Sequence, residues 1–189
     1  MTDPNLLKSL LPLKTVGDGN CLFRAASIAA YNDESRHAEI RQRVFEEIRD
    51  NPNWYDKDDQ HYCSPFGNDL SIKLENYSTY FINTPKDGEW SDFNHILALS
   101  AVLKIPIMSY FPSNSSTTSS FTRTLCGRNV LETDASDTKI TIMWTSMSVP
   151  QKIEDLKPNH FVPLISQEMF VGTYTNLCHT DTIGDYQGN

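Results

Sequence analysis

The chain has 189 residues, of which 39% are hydrophobic, 11% aromatic and 21% charged. That composition fits one domain large enough to bury a real core. Its formal net charge of −8 argues against nucleic acid as a partner, since phosphate binding needs clustered Lys and Arg.

The acidic balance admits a basic protein substrate, and it serves solubility equally well. No apolar run approaches the ~18 residues that a membrane span needs. Residues 1–8 carry neither a basic n-region nor a long apolar h-region, so they do not read as a signal peptide. The expectation is a cytoplasmic, or cytoplasmic and nuclear, monomer with no membrane partner. Cys21, Cys63, Cys126 and Cys178 are widely spread with no C-x-x-C pair, which predicts reduced thiols. The matches to the glycosylation pattern at Asn76 and Asn114 then read as chance.

Residues 1–16 form a lead-in whose apolar 6–13 stretch can pack on the body. A Gly-rich turn, Gly17-Asp18-Gly19-Asn20, runs into a helix over 21–31. Leu22, Phe23, Ala25, Ala26, Ile28, Ala29 and Ala30 lie nearly all round that helix, which predicts a buried central position. Asn20 or Asp18 is expected to cap it. A second helix covers about 34–50, with Ala38, Ile40, Val44, Phe45 and Ile48 as its apolar stripe and Arg, Glu and Gln on the other face. Asp50-Asn51-Pro52 ends it, and 53–67 reads as irregular. A third helix is expected over about 68–83 on the stripe Leu70, Leu74, Tyr77 and Phe81. After a turn at 85–88, Ser91 or Asp92 caps a fourth helix that runs to about Lys104. Strands are expected at 105–111, 121–125, 139–147 and 160–165, with a polar loop at 112–120. Residues 167–189 pattern weakly and read as a loosely docked tail. Helices first and strands later predict an α+β layered domain.

Cys21 sits where the Gly-rich turn meets the helix. Unpaired N–H groups and the positive helix end favour thiolate there, and thiolate is the nucleophile. The glycines let backbone approach a ligand, and N–H groups of such a turn can form an oxyanion hole. A buried structural thiol explains the residue equally well at this point. His160 opens an apolar strand after a Pro-Asn turn, where its ring would be held rigidly. An imidazole beside a thiol makes an activated nucleophile–base pair. The remaining histidines have weaker settings. Cys178-His179 is too sparse to bind metal, so neither metal nor cofactor is expected.

Two motifs, Asp18-Gly19-Asn20-Cys21-Leu22-Phe23-Arg24-Ala25 and Asn159-His160-Phe161-Val162-Pro163-Leu164, carry a resemblance to the ovarian-tumour (OTU) family of cysteine proteases, most of which are deubiquitinases. Gly88-Glu89-Trp90-Ser91-Asp92 and the helix running into Ile105-Pro106-Ile107 resemble the family's central segment, so the likeness covers about residues 14–166. It implies an α+β, papain-like fold with helices packed around a small central sheet, in one catalytic domain over 1–166 followed by a tail over 167–189. It further implies Cys21 as nucleophile, His160 as base and later acid, and Asp18 as a member of the active site. The backbone of Asp18, Gly19 and Cys21 would supply the oxyanion hole. Ubiquitin, polyubiquitin or a ubiquitin-like modifier is the implied partner, cleaved at the C-terminal glycine.

Many members of the family carry Asp or Asn two residues after the histidine. Here that residue is Val162, which cannot orient an imidazole. Residue i+2 shares the strand face of residue i, whereas Asn159 and Phe161 point away. An orienter must therefore come from elsewhere, with Asp3, Asn5 and Asp18 as candidates, or the centre is a Cys–His dyad. Asp56, Asp58, Asp59 and Glu89 are candidate carboxylates for the arginines of the ubiquitin tail, and Trp90 either lines the cleft or packs in the core. Two other readings stay open. One is a viral or mobile-element protease acting on another modifier or a polyprotein. The other is a weakly active or inactive ubiquitin-binding domain.

Overall fold

A computed structural model describes residues 9–56, 76–111, 121–131, 139–146 and 159–171. Among them the elements run β1 (Leu10–Pro12), α1 (Cys21–Tyr31), α2 (His37–Asp50), α3 (Pro52–Tyr55), α4 (Tyr77–Asn83), α5 (Phe93–Leu103), β2 (Ile107–Phe111), β3 (Phe121–Leu125), β4 (Ile140–Thr145) and β5 (His160–Ser166). The five strands form one sheet in the order β1-β5-β4-β2-β3. β2 and β4 run parallel, and the other pairs are antiparallel. The architecture is α+β, with the helices gathered against a small mixed sheet.

α1 is the centre of the molecule. It packs on β4 and β5 on one side and on α2 on another, and Leu22, Phe23, Ala25 and Ala26 are fully buried. Its alanines let neighbouring elements approach, while burying each large side chain stabilises by roughly 1.5–3 kcal/mol. Asn32 ends the helix in a left-handed conformation, its N–H donating to the Ile28 carbonyl at 2.8 Å, a common helix stop. α5 is capped by Asp92, which accepts from the N–H groups of Asn94 and His95, while the His95 ring reaches back to the Asp92 N–H. This capping box fixes the start of α5, where the loop that faces the cysteine turn ends.

β5 is buried along six of its seven residues, because it lies between β1 and β4 with helix above it. β1 was not expected from the sequence. Its three residues pair with Leu164, Ile165 and Ser166 of β5, and this pairing brings the chain just before the cysteine turn alongside His160.

Three expectations need correction. Phe81 does not face inward: it is 45% exposed, and Tyr80 is buried at 2% in its place. Tyr80 can be buried because its hydroxyl donates to Asp92 at 2.6 Å, so the α4 stripe runs Tyr77–Tyr80. Leu70 and Leu74 lie outside the described residues. Arg41 is not on a solvated face of α2 but is 4% exposed. Residues 53–55, expected to be irregular, belong to the short helix α3. At the start of the tail, Met169 and Phe170 pack against Leu13, Ile28 and Ile165.

Candidate active site

The cysteine turn is built against a second loop. Gly19 has φ +81°, and a Cβ there would lie 1.7 Å from the Gly88 carbonyl oxygen. Gly88 itself has φ +80°. Two left-handed glycines therefore let two backbones stack where side chains would collide. Asn20 Nδ2 donates to Asp87 Oδ1 at 2.9 Å across the same contact.

Arg41 locks the two loops from below. One of its terminal nitrogens donates to the carbonyls of Thr84 and Lys86 at 3.0 and 2.7 Å. The other donates to Gly19 at 2.9 Å and Glu89 at 2.7 Å. Its guanidinium also lies 4.5 Å from the centre of the Phe23 ring. A planar fork with five donors suits four converging carbonyls, where a lysine with three would not.

Asp18 is tied within its own turn. It accepts from the Asn20 N–H at 3.0 Å and from Arg24 Nη2 at 2.6 Å. The Arg24 guanidinium, with Asn20, holds the Asp18 carboxyl well below the usual carboxylate range. Arg24 in turn reaches Glu34 at 2.5 Å. Asp18 is thus the keystone of the turn, and its carboxylate does not orient His160. Nor does either expected residue cap α1 by its side chain. Asn20 uses its amide to donate to Asp18 and Asp87 instead.

Cys21 starts α1 and is 3% exposed. The N–H groups of Phe161, Leu22 and Cys21 itself face the sulfur and favour thiolate. Burial outweighs them and pushes the thiol up. The expected pull of the helix-start N–H groups toward thiolate is present, but desolvation of the charged form is the larger effect here. Cys21 is a free thiol, while Cys63 and Cys178 lie outside the described residues.

His160 stands at the head of β5, paired with Thr145, and its neighbour Phe161 offers the N–H that meets the Cys21 sulfur. The fold therefore brings helix start and strand start together. The imidazole is 6% exposed, and burial pushes it down, against smaller opposing contributions from Thr15 and Asp18. Its Nε2 lies 3.1 Å from Thr15 Oγ1. Its Nδ1 is buried with no hydrogen-bond partner among the described residues. Val162 shares the face of His160, as strand geometry requires. Both line a cleft of about 770 Å³ with Lys14, Thr15 and Met143.

Of the other candidates, Asp3, Asn5, Asp58 and Asp59 lie outside the described residues. Glu89 belongs to the loop stacked on the cysteine turn through its carbonyl on Arg41. Asp56 lies near Tyr77, whose hydroxyl donates to the Ile48 carbonyl at the far end of α2. Trp90 is 53% exposed and so is no core residue. Among the described residues no three His, Cys, Asp or Glu side chains are grouped to hold a metal ion, and no helix is long and apolar enough to cross a membrane. Sequence reasoning missed Thr15 and Arg41. Thr15 carries no motif or periodicity signal, whereas Arg41 lies three residues before Val44 and seven before Ile48, on the apolar stripe of α2 itself.

Comparison with known proteins agrees with this geometry. The family described as Vertnin, OTU domain, matches residues 12–145. OTU domain-containing protein 1 of Mus musculus is 28% identical over 93 residues, which are 49% of this chain and 17% of that protein's length. The chain therefore spans less than a fifth of this relative. Among solved structures, the OTU domain of OTUD1 superposes with a TM-score of 0.57 at 21% identity, covering 84% of this chain and 87% of that one. An OTU deubiquitinase from Wolbachia pipientis wMel, bound to ubiquitin, gives 0.56 at 14% identity, covering 85% and 98%. At these identities the likeness establishes the fold.

Proposed function

The chain belongs to the OTU domain family, and on that premise we propose that it is a thiol-dependent deubiquitinase. The observation that carries the reading is a buried thiol that takes the N–H of Phe161, the residue next to a buried imidazole whose Nδ1 is unpartnered among the described residues. A structural cysteine needs no such neighbour. The wMel neighbour, which is bound to ubiquitin, supports the choice of substrate.

Burial keeps both groups neutral at rest, so His160 acts as general base when the acyl carbon arrives. It takes the Cys21 proton as the sulfur attacks the carbonyl of ubiquitin's C-terminal glycine. Negative charge develops on the carbonyl oxygen, and backbone N–H groups of the cysteine turn are suited to receive it. The Asn20 N–H is already given to Asp18, so the donors are the N–H groups of Asp18, Gly19 and Cys21. The protonated His160 then delivers its proton to the leaving lysine amine. Water, deprotonated by His160, hydrolyses the thioester and restores both groups.

The test is turnover of ubiquitin carrying a fluorogenic group at its C-terminus, beside a panel of ubiquitin-like modifiers. The wild-type chain should cleave ubiquitin in preference to the panel. Cys21→Ala should remove all turnover while binding ubiquitin with unchanged affinity. Retained hydrolysis in that variant would sink the assignment, and wild-type binding without turnover would make the chain a ubiquitin-binding module.

A further inference from the structure

Val162 leaves His160 without a polar partner at the family's usual position. Thr15, 145 residues earlier in the chain, occupies that role in space. Its Oγ1 lies 3.1 Å from His160 Nε2 and 2.6 Å from the carbonyl oxygen of Phe161. A hydroxyl has one proton, and a carbonyl oxygen can only accept. The proton of Thr15 is therefore spent on Phe161, and its oxygen must accept from the ring. Nε2 carries the imidazole proton, and Nδ1 carries the free lone pair. The buried, unpartnered Nδ1 agrees with this assignment, since the orphan atom is the one that must receive the thiol proton.

We propose that Thr15 is the positioning residue of this site, a hydroxyl relayed to a main-chain carbonyl in place of a side-chain carboxylate or amide. The proposal rests on the hydrolase reading above for its role, but its geometry stands without any substrate. β1 makes it feasible: pairing of Leu10–Pro12 with β5, continued by the Leu13 N–H on the Pro163 carbonyl at 3.1 Å, carries Thr15 to the head of the strand. Thr15 is 3% exposed, so water does not compete for the bond. The relay brings no negative charge to the ring. Among the described residues the charged groups around His160 are Asp18, already paired with Arg24, and Lys14 on the cleft wall. Thr15 thus fixes tautomer and orientation without the imidazolium stabilisation that a carboxylate gives.

The experiment compares wild type, Thr15→Val and Thr15→Ser. Ring nitrogen NMR of His160 should report the Nε2–H tautomer in wild type and Thr15→Ser, and a tautomer mixture in Thr15→Val. Iodoacetamide labelling of Cys21, followed by peptide mass spectrometry across pH 5–10, needs no ubiquitin. It should slow about 10²-fold at neutral pH in Thr15→Val, the scale of a lost general base, and stay close to wild type in Thr15→Ser. Turnover of ubiquitin substrates should fall in kcat with KM unchanged. A wild-type protein with the proton on Nδ1 overturns the proposal even if Thr15→Val fails to fold. So does a folded Thr15→Val with wild-type labelling. Labelling lost in Thr15→Val, with no ubiquitin turnover by wild type, keeps Thr15 and removes the deubiquitinase reading.

Discussion

Gly19 shows how little freedom the site has at a single residue. Its φ of +81° already disfavours any side chain, and the atom that a Cβ would meet at 1.7 Å is a backbone oxygen of Gly88. No rotamer change relieves such a contact, so one of the two loops must move. The left-handed conformation alone costs about 1–2 kcal/mol for an L-residue, and displacement of the loop adds to it. Gly19→Ala should therefore lower the unfolding free energy by at least ~2 kcal/mol. It should also lower kcat by about 10²-fold, the scale of one lost oxyanion donor. Thermal melting and steady-state turnover check the two effects separately. Full turnover in a destabilised variant would mean that the loop contact serves the fold and not the chemistry. Asp18 is the complementary case. The motif drew attention to it, but its work is to hold Asn20 and Arg24, a role that becomes visible only when the stretch from Asp18 to Arg24 is folded.

α2 looks like an ordinary amphipathic helix, and its most consequential residue breaks that pattern. Arg41 is buried and binds four carbonyls drawn from two loops. Arg41→Met would strand those carbonyls, each worth about 1–3 kcal/mol when buried without a donor. Arg41→Lys keeps the charge but cannot reach four acceptors. Both should destabilise by roughly 3 kcal/mol or more, measured by urea unfolding, with Lys rescuing little. A lysine variant of wild-type stability would show that charge alone holds the loops. The elements legible in the sequence share one property: their signal is local. The stripes of α1 and α2, the Asp92 cap and the apolar runs of β2, β4 and β5 are each set by neighbours within a few residues. What escaped reading depends on partners far away in the chain. β1 has three residues and gains meaning only beside β5. Tyr80 displaces Phe81 from the core because Asp92 accepts its hydroxyl. Thr15 has no periodicity, and its partner is His160. The Cys21 and His160 motifs were legible, but the sign of the Cys21 shift was not, because burial is a property of the finished fold.

At the scale of the molecule, the two central groups make stability depend on pH from both sides. Burial pushes His160 below its ordinary value of 6.5. Between that value and the folded one, the unfolded chain binds a proton that the native chain refuses, so stability falls as pH drops below about 6.5. Burial pushes Cys21 above its ordinary value of 9.0. Above that value the unfolded chain loses a proton that the native chain keeps, so stability falls again as pH rises. Asp18 has the opposite shift to Cys21. Its lowered carboxyl contributes stability that is present above its ordinary value of 3.8 and declines as pH falls further, well below the His160 step. The unfolding free energy of wild type should therefore be greatest between about pH 6.5 and 9. His160→Gln should flatten the decline between pH 6.5 and 5, Cys21→Ala should flatten the alkaline one, and Asp18→Asn should alter only the region below about pH 4. Denaturant titrations at fixed ionic strength across this range measure each difference against wild type, which cancels the background from the net charge. An alkaline limb that persists unchanged in Cys21→Ala would mean that the thiol is not buried neutral. The general-base order of events, in which His160 takes the proton only as Cys21 attacks, would then give way to a preformed thiolate–imidazolium pair.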